Sequence, residues 1–315
     1  MKLSAYNKAA VNKSARKKQV LNNWDLYAML FFPTVYIIIF KYIPMYGLQI
    51  AFKDYNLFEG MFGSPWVGFK HFNQFFQSTE FWRLVGNTLS LSIYSIFVGP
   101  ILPIFLAIVL NYLINNKLKK TLQMVTYAPY FISTVVMVSI INQFFAIDFG
   151  PINVMLKKMG LAQIDFLSNP DLFPHLYVWT GIWQYTGFNS IIYLASLTGV
   201  DPTLHEAAIV DGASKLKRIW HIDLPSIQST IIILMIMSVG SIMSTGFEKI
   251  YLMQNNLNLR TSEVIDTYVY KIGLASPIAN YSFPTAIGLF QSVIGLLLIV
   301  IVNKIAQKVS EVSLW

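Results

Sequence analysis

The sequence predicts an all-α integral membrane protein with six transmembrane helices and both termini on the cytoplasmic side. Three observations predict it: charges are scarce, long stretches carry none, and the basic excess is confined to alternate connecting segments. Of 315 residues, 55% are hydrophobic and 12% are Asp, Glu, Lys or Arg, against about 25% charged in an ordinary soluble domain. A soluble sphere with so few charges could not cover its surface. There is no cysteine, which excludes disulfides, thiolate metal sites and catalytic thiols.

A crossing helix needs about 20 mostly apolar residues to span about 30 Å of hydrocarbon. Its backbone groups must bond to one another, because the bilayer core holds no water. Five stretches carry no Asp, Glu, Lys or Arg: 84–116, 121–147, 172–200, 224–247 and 272–303, of 33, 27, 29, 24 and 32 residues. A sixth, 26–40, has 15 residues and continues past Lys41 to residue 52. These runs predict spans near 26–46, 88–113, 121–145, 176–197, 227–244 and 283–302. Buried helices of a soluble core are the competing explanation, but six such runs exceed what a soluble core uses. The chain then divides into a basic tail (1–23), an uncleaved first transmembrane helix (24–46), an extracytoplasmic loop (47–83), a five-helix core (84–303) with an internal loop at 198–226, and a second tail (304–315).

Lys and Arg in the connections set orientation. The two tails and the segments around 115–120 and 198–226 hold 14 basic residues against six acidic ones; the other side holds nine of each. The whole net charge of +8 therefore sits on one face, the cytoplasmic one. It serves topology, and no nucleic-acid partner is expected. The opposite connections are longer and rich in Gly, Pro and Asn, which reads as ordered turns.

Much chemistry is absent. There is no phosphate-cradling G-x-x-x-x-G-K-[ST] loop, and His71, His175, His205 and His221 show no ligand spacing. No carboxylate pair lies in a span, where proton-driven carriers keep such groups. The interior polar groups are expected to be amides, hydroxyls and aromatics. The energy source for any active transport then lies on another chain.

The strongest signal is residues 201–225, DPTLHEAAIVDGASKLKRIWHIDLP. Asp201 suits an N-cap and Pro202 the first helical position. Gly212 lets the chain leave that helix without a Cβ clash. Residues 215–221 form a second, basic helical segment, and Pro225 marks entry to the next span. Such a bracket either docks into a groove on a partner or lies on the membrane surface as an ordinary loop.

The segment resembles the loop motif of permease subunits from binding-protein-dependent ABC importers: E-A-A, three residues, G, nine residues, I-x-L-P. Here these are Glu206-Ala207-Ala208, Gly212 and Ile222-Asp223-Leu224-Pro225. EAAIVDGAS at 206–214 resembles the carbohydrate branch, typified by maltose permeases. AFKDY at 51–55, SPWVGF at 64–69, NTL at 87–89, YLA at 193–195, VIDTYVY at 264–270 and SLW at 313–315 are similar to the LplB-like polysaccharide subgroup.

The resemblance implies a type I ABC importer permease in a prokaryotic plasma membrane, non-catalytic and without a cofactor of its own. ATP and Mg would be bound by two partner ATPase subunits. A second permease subunit, commonly a different chain, and an extracytoplasmic solute-binding protein complete the implied assembly. By the same resemblance Glu206 pairs with a basic group of the ATPase, Ala207 and Ala208 permit close approach, Gly212 forms the bend, and Asp211, Ile222, Leu224 and Pro225 complete the loop motif.

A solute path is also suggested by residues. Trp179, Trp183, Thr186, Ser190 and Tyr193 fall on one helical stripe, with Asn189 on a second. Aromatic faces and hydroxyls suit an oligosaccharide. Ser241, Ser244 and Gln291 are further candidates. Against this stands the common use of polar residues as glue between spanning helices and of Trp and Tyr as interface anchors. The rival functions are a self-sufficient secondary carrier or channel for a small polar solute, and a membrane-embedded enzyme. No nucleophile–base or metal constellation supports the second.

Overall fold

The computed structural model describes residues 22–276, 280–310 and 314. The basic tail up to residue 21, Pro277, and the terminal Ser313 and Trp315 lie outside them. Among the described residues the secondary structure is helical apart from one isolated bridge between Lys53 and Trp66. The chain forms two compact units, Met1–Gly68 and Phe69–Trp315.

The first unit contains α1 (Trp24–Phe52), a 29-residue apolar helix whose central window buries nothing within the chain. Its apolar side chains therefore need lipid. A π turn at Ile38–Tyr42 precedes Pro44, which has no N–H and displaces the helical bonding pattern. At the end of α1 the chain folds back. Val67 N–H donates to Phe52 O at 2.8 Å, and the Phe52 and Trp66 rings stack at 5.6 Å.

The second unit begins with α2 (Lys70–Phe76) and α3 (Phe81–Val98), then α4 (Ile101–Tyr112) after a Gly99-Pro100 junction. Next come α5 (Asn116–Tyr127), α6 (Thr134–Phe145), α7 (Pro151–Lys158) and α8 (Phe173–Thr198). They are followed by α9 (Pro202–Val210), α10 (Lys215–Gly240), α11 (Phe247–Met253), α12 (Ile265–Gly273) and α13 (Ser282–Ser310). Among the described residues four stretches are long and apolar enough to cross a membrane: α1, the run Phe81–Tyr112, α10 and most of α13. A fifth counts if the bent pair Asn116–Phe131 and Thr134–Phe145 is one crossing.

That pair departs from the straight span expected at 121–145. Its halves meet at 99°. Pro129 sits in a 3-10 turn, and Ile132 and Ser133 are extended. Ser133 Oγ caps the second half, accepting from Val136 N–H at 3.4 Å. The Ile132 carbonyl freed by the break accepts from the buried Gln184 Nε2 at 3.1 Å.

α8, the expected fourth span, has 26 residues, about 39 Å of helix. It is not among the four most apolar helices, and the reason is its position. It contributes to two of the three apolar clusters. One, with Leu91, Met137 and Ile250, takes Phe173 and Leu176; the other, with Ala107, Leu110 and Ile227, takes Tyr193, Leu194 and Leu197. A helix enclosed by other helices can carry Gln, Asn and Thr that a lipid-facing helix cannot.

Small residues set the closest approaches. A Cβ on Gly187 of α8 would stand 2.0 Å from the Thr126 carbonyl oxygen, and Tyr130 stacks on Phe188 beside it at 3.8 Å. Gly240 and Gly295 bring α10 and α13 together, with a Gly295 Cβ placed 3.2 Å from Gly240 O. Gly288, also on α13, meets nothing within 4 Å. Gly187→Ala should therefore lower stability in detergent by roughly 1–3 kcal/mol or more. Gly86→Ala, in open space, should cost nothing measurable. Thermal unfolding followed by size-exclusion chromatography checks the pair, and equal stability would contradict the packing.

Candidate functional site

The 198–226 loop is built as two helices at a sharp bend. Asp201 caps α9, its Oδ1 accepting from Thr203 N–H at 2.9 Å. That hydrogen bond holds the Asp201 carboxyl below its ordinary range. The cap is thus complete above the usual carboxylate pKa and weakens as pH falls through the depressed value. At the other end Ala213 N–H reaches Ala208 O at 2.8 Å and Gly212 N–H reaches Ile209 O at 3.0 Å, the paired bonds of a Schellman stop. Gly212 has φ +75°, a conformation costly for a residue with a Cβ. Ser214 Oγ then caps α10 through Lys217 N–H at 3.4 Å.

The exposed side of this bracket is apolar as well as charged. Leu204, Ile209, Val210, Leu216 and Trp220 are exposed, as are Glu206, Ala207, Asp211, Gly212 and Pro225. Ala208, Ile222 and Leu224 are half-buried. Glu206 has no hydrogen-bond or ion-pair partner among the described residues. Exposed apolar side chains beside a carboxylate without a partner are the composition of a surface that can receive another protein.

The inward side is tied to the transmembrane helices by one side chain. Asp223 lies in a π turn, Ile219–Asp223, just before Pro225, the same device as in α1. Its carboxylate is fully buried. Tyr112, the last residue of α4, donates its hydroxyl to Asp223 Oδ2 at 2.7 Å. His205 of α9 brings Nε2 to 3.4 Å from Oδ1, and its ring meets Tyr112 edge-on at 6.4 Å. The Arg218 guanidinium stands 5.8 Å over the Tyr112 ring. Three helices, α4, α9 and α10, converge on one buried charge.

A second feature is a cavity of about 610 Å³ between α3, α4, α8, α10 and the segment that follows α10. Of the candidates for a solute path, Thr186, Asn189, Tyr193, Ser241 and Ser244 line it. Asn189 makes no hydrogen bond within the described residues. Trp179, Trp183, Ser190 and Gln291 lie elsewhere. Trp179 and Trp183 are about half exposed, and Trp179 Nε1 donates to the Tyr94 hydroxyl at 3.0 Å. Ser190 is buried and donates to Gly187 O at 2.6 Å. Gln291 donates to Asp266 Oδ1 at 2.7 Å and to Met243 O. The expected stripe therefore does not face one environment.

The expectation of an interior free of charge is corrected. Asp223 is buried, and so is Lys249 of α11, which lines the cavity. Lys249 falls outside every charge-free run, so linear charge counting placed it in an external loop. The fold returns it to the interior because α11 packs its Ile250 and Met253 into the cluster of α6 and α8. Asp266, also from that connection, takes Gln291 and Ser244 as partners, the latter at 3.4 Å; burial raises its carboxyl above the ordinary range. The connection is further anchored to α3 through Glu263, which accepts from Arg83 Nη2 at 2.6 Å and Lys271 Nζ at 2.9 Å.

The chain as a whole is similar to known proteins. Residues 99–311 match the family described as binding-protein-dependent transport system inner membrane component. Protein LplB of Bacillus subtilis is 43% identical over 290 residues, covering 92% of this chain and 91% of that one. The polygalacturonan/rhamnogalacturonan transport system permease protein YteP of the same organism is 39% identical over 311 residues, covering 98% and 96%. A chain of a bacterial alginate ABC transporter, solved with an alginate pentasaccharide-bound periplasmic protein, superposes with TM-score 0.86 at 36% identity, covering 94% of this chain and 99% of that chain. The chain belongs to the family of binding-protein-dependent transport inner membrane components. It is an ABC transporter permease, a multi-pass membrane protein with a transport role and no catalytic one.

The buried tie has a measurable consequence. Tyr112→Phe leaves Asp223 without its donor and should destabilise the protein by roughly 1.5–3 kcal/mol. In an Asp223→Asn background the same change should cost less, since no buried charge then loses a partner. A double-mutant cycle by thermal unfolding reads the coupling; strict additivity would show that the hydroxyl and carboxylate do not interact.

Proposed function

We propose that this chain is one of two permease subunits of a prokaryotic plasma-membrane importer for an oligosaccharide, driven by a separate ATPase that docks on α9. The single observation that carries the ATPase coupling is the two-sided bracket. Its outer face presents Glu206 beside exposed apolar side chains, and its inner face is fixed to α4 and α10 through Asp223. Such an element can receive force on one side and pass it to the spans on the other.

In this proposal α8 is the sixth crossing, enclosed by its neighbours, and the basic connections face the cytoplasm with both termini. The oligosaccharide assignment is supported by two relatives: one named for polygalacturonan and rhamnogalacturonan transport, the other solved as part of an alginate transporter. The hydroxyl- and amide-lined cavity suits the same solute class. The connections on the opposite side to α9 would receive the solute-binding protein, and the second permease would complete the path.

Affinity purification of the tagged chain from its native host should bring down an ATPase subunit. Glu206→Ala should reduce sugar uptake at least tenfold while leaving the chain in the membrane. Gly212→Asn, which tolerates the left-handed backbone, should retain more uptake than Gly212→Val. Unchanged uptake in both Glu206→Ala and Gly212→Val would exclude α9 as the coupling element.

A further inference from the structure

The cavity contains one charged side chain among its lining residues, and that charge has no counter-ion among the described residues. Lys249 is 8% exposed. Its Nζ donates to Tyr177 O at 3.0 Å and lies 5.0 Å from the Tyr177 ring centroid. Among the described residues no carboxylate stands within ion-pair distance of it. Glu248, next in sequence, is exposed, and Asp266 is engaged by Gln291 and Ser244. Gly181 keeps a side chain off the ammonium, since a Cβ there would stand 3.4 Å from Nζ, in van der Waals contact with it. Close in sequence on the same wall, Thr245 is buried and its Oγ1 has no hydrogen-bond partner.

A buried ammonium without an anion is costly, and so is a buried hydroxyl without a partner. Tyr177 meets part of that need, through one carbonyl and one ring face. The remaining N–H donors of Lys249 have no acceptor among the described residues. Burial draws the Lys249 ammonium down to about 7, so an arriving anion would also stabilise its protonated form. Groups held in this state inside a cavity are suited to a charge that arrives with a ligand.

We propose that Lys249 recognises a carboxylate on the transported sugar, so that the solute is an acidic, uronate-type oligosaccharide. The inference rests on the oligosaccharide-importer assignment above. In it Lys249 supplies the point charge, Thr245 a hydroxyl, and Asn189 and Ser241 contacts to the sugar's own hydroxyls. A purely structural lysine would need only its bond to Tyr177 O.

The two roles separate by substitution. Lys249→Gln keeps a donor for Tyr177 O but removes the charge; Lys249→Arg keeps the charge. The complete complex, with its ATPase subunits and binding protein, is reconstituted in proteoliposomes. Uptake is measured for a uronate oligosaccharide and for the same chain with its carboxyls reduced to alcohols, each at concentrations that saturate the binding protein. Wild type should import the acid at least tenfold faster than the reduced sugar. Lys249→Gln should bring the acid down to the reduced sugar's rate, and Lys249→Arg should retain most of it. Equal import of the acid by wild type and Lys249→Gln would overturn the proposal. So would wild-type import of the reduced sugar as fast as the acid, a result that needs no variant and leaves the importer assignment standing. Import of neither sugar by wild type would instead overturn the oligosaccharide assignment and this inference with it.

Discussion

One buried carboxylate joins the exposed loop of this permease to its transmembrane helices. Asp223 has no exposed surface, and a charge so placed must be held by donors that are costly to remove. Its neighbours come from separate elements: the Tyr112 hydroxyl, which closes α4, donates to Oδ2, and the His205 ring of α9 stands 3.4 Å from Oδ1, which has no hydrogen-bond partner among the described residues. Asp223 itself sits in the π turn that Pro225 imposes on α10. Moving α4 against α10 would break a charge-assisted bond at a fully buried carboxylate, and moving α9 alone would draw the His205 ring away from that carboxylate's second oxygen. In the proposed function this is what makes the bracket a lever and not a tether.

Around that tie the molecule divides its polar groups by purpose. Polar side chains on α8 that face neighbouring helices close local bonds, as Gln184 does at the α6 break and Ser190 within its own turn. Of those that face the cavity, Thr186 closes a bond to Ile182 O, whereas the Asn189 side chain makes none among the described residues. Glycine marks where backbones touch: Gly187 against Thr126, Gly240 against Gly295. The cavity lies where the Gly99-Pro100 junction, α8, the end of α10 and Lys249 of α11 face one another.

The helical class and the positions of most spans were legible because lipid imposes a simple rule on composition, and charge-free runs report it directly. The loop motif was legible because caps and bends need particular residues: Asp201, Pro202 and Gly212 occupy the positions their chemistry suits. The break within the third span was not, since Pro129 marks a weak point without saying whether the helix kinks or turns by 99°. Lys249 and Asp223 were missed for a related reason. Counting charges along the chain assigns each to a side, whereas burial depends on which helix folds back against which. The partner of Asp223 is 111 residues away in sequence. The aromatic stripe of α8 was visible as a stripe, but Trp179 and Trp183 share its spacing and not its surroundings.

The chain has no native cysteine, so paired labels can be introduced without background. Ile114, just beyond α4, and Val210, at the end of α9, are 93% and 87% exposed and lie on either side of the Asp223 tie. Spin labels at these two positions, measured in the assembled complex with and without ATP, test whether the bracket and the base of α4 move together. A rigid tie predicts a label distance constant to within about 2 Å, well below the roughly 5.4 Å of one helical turn. A nucleotide-dependent change of a full turn or more would contradict it.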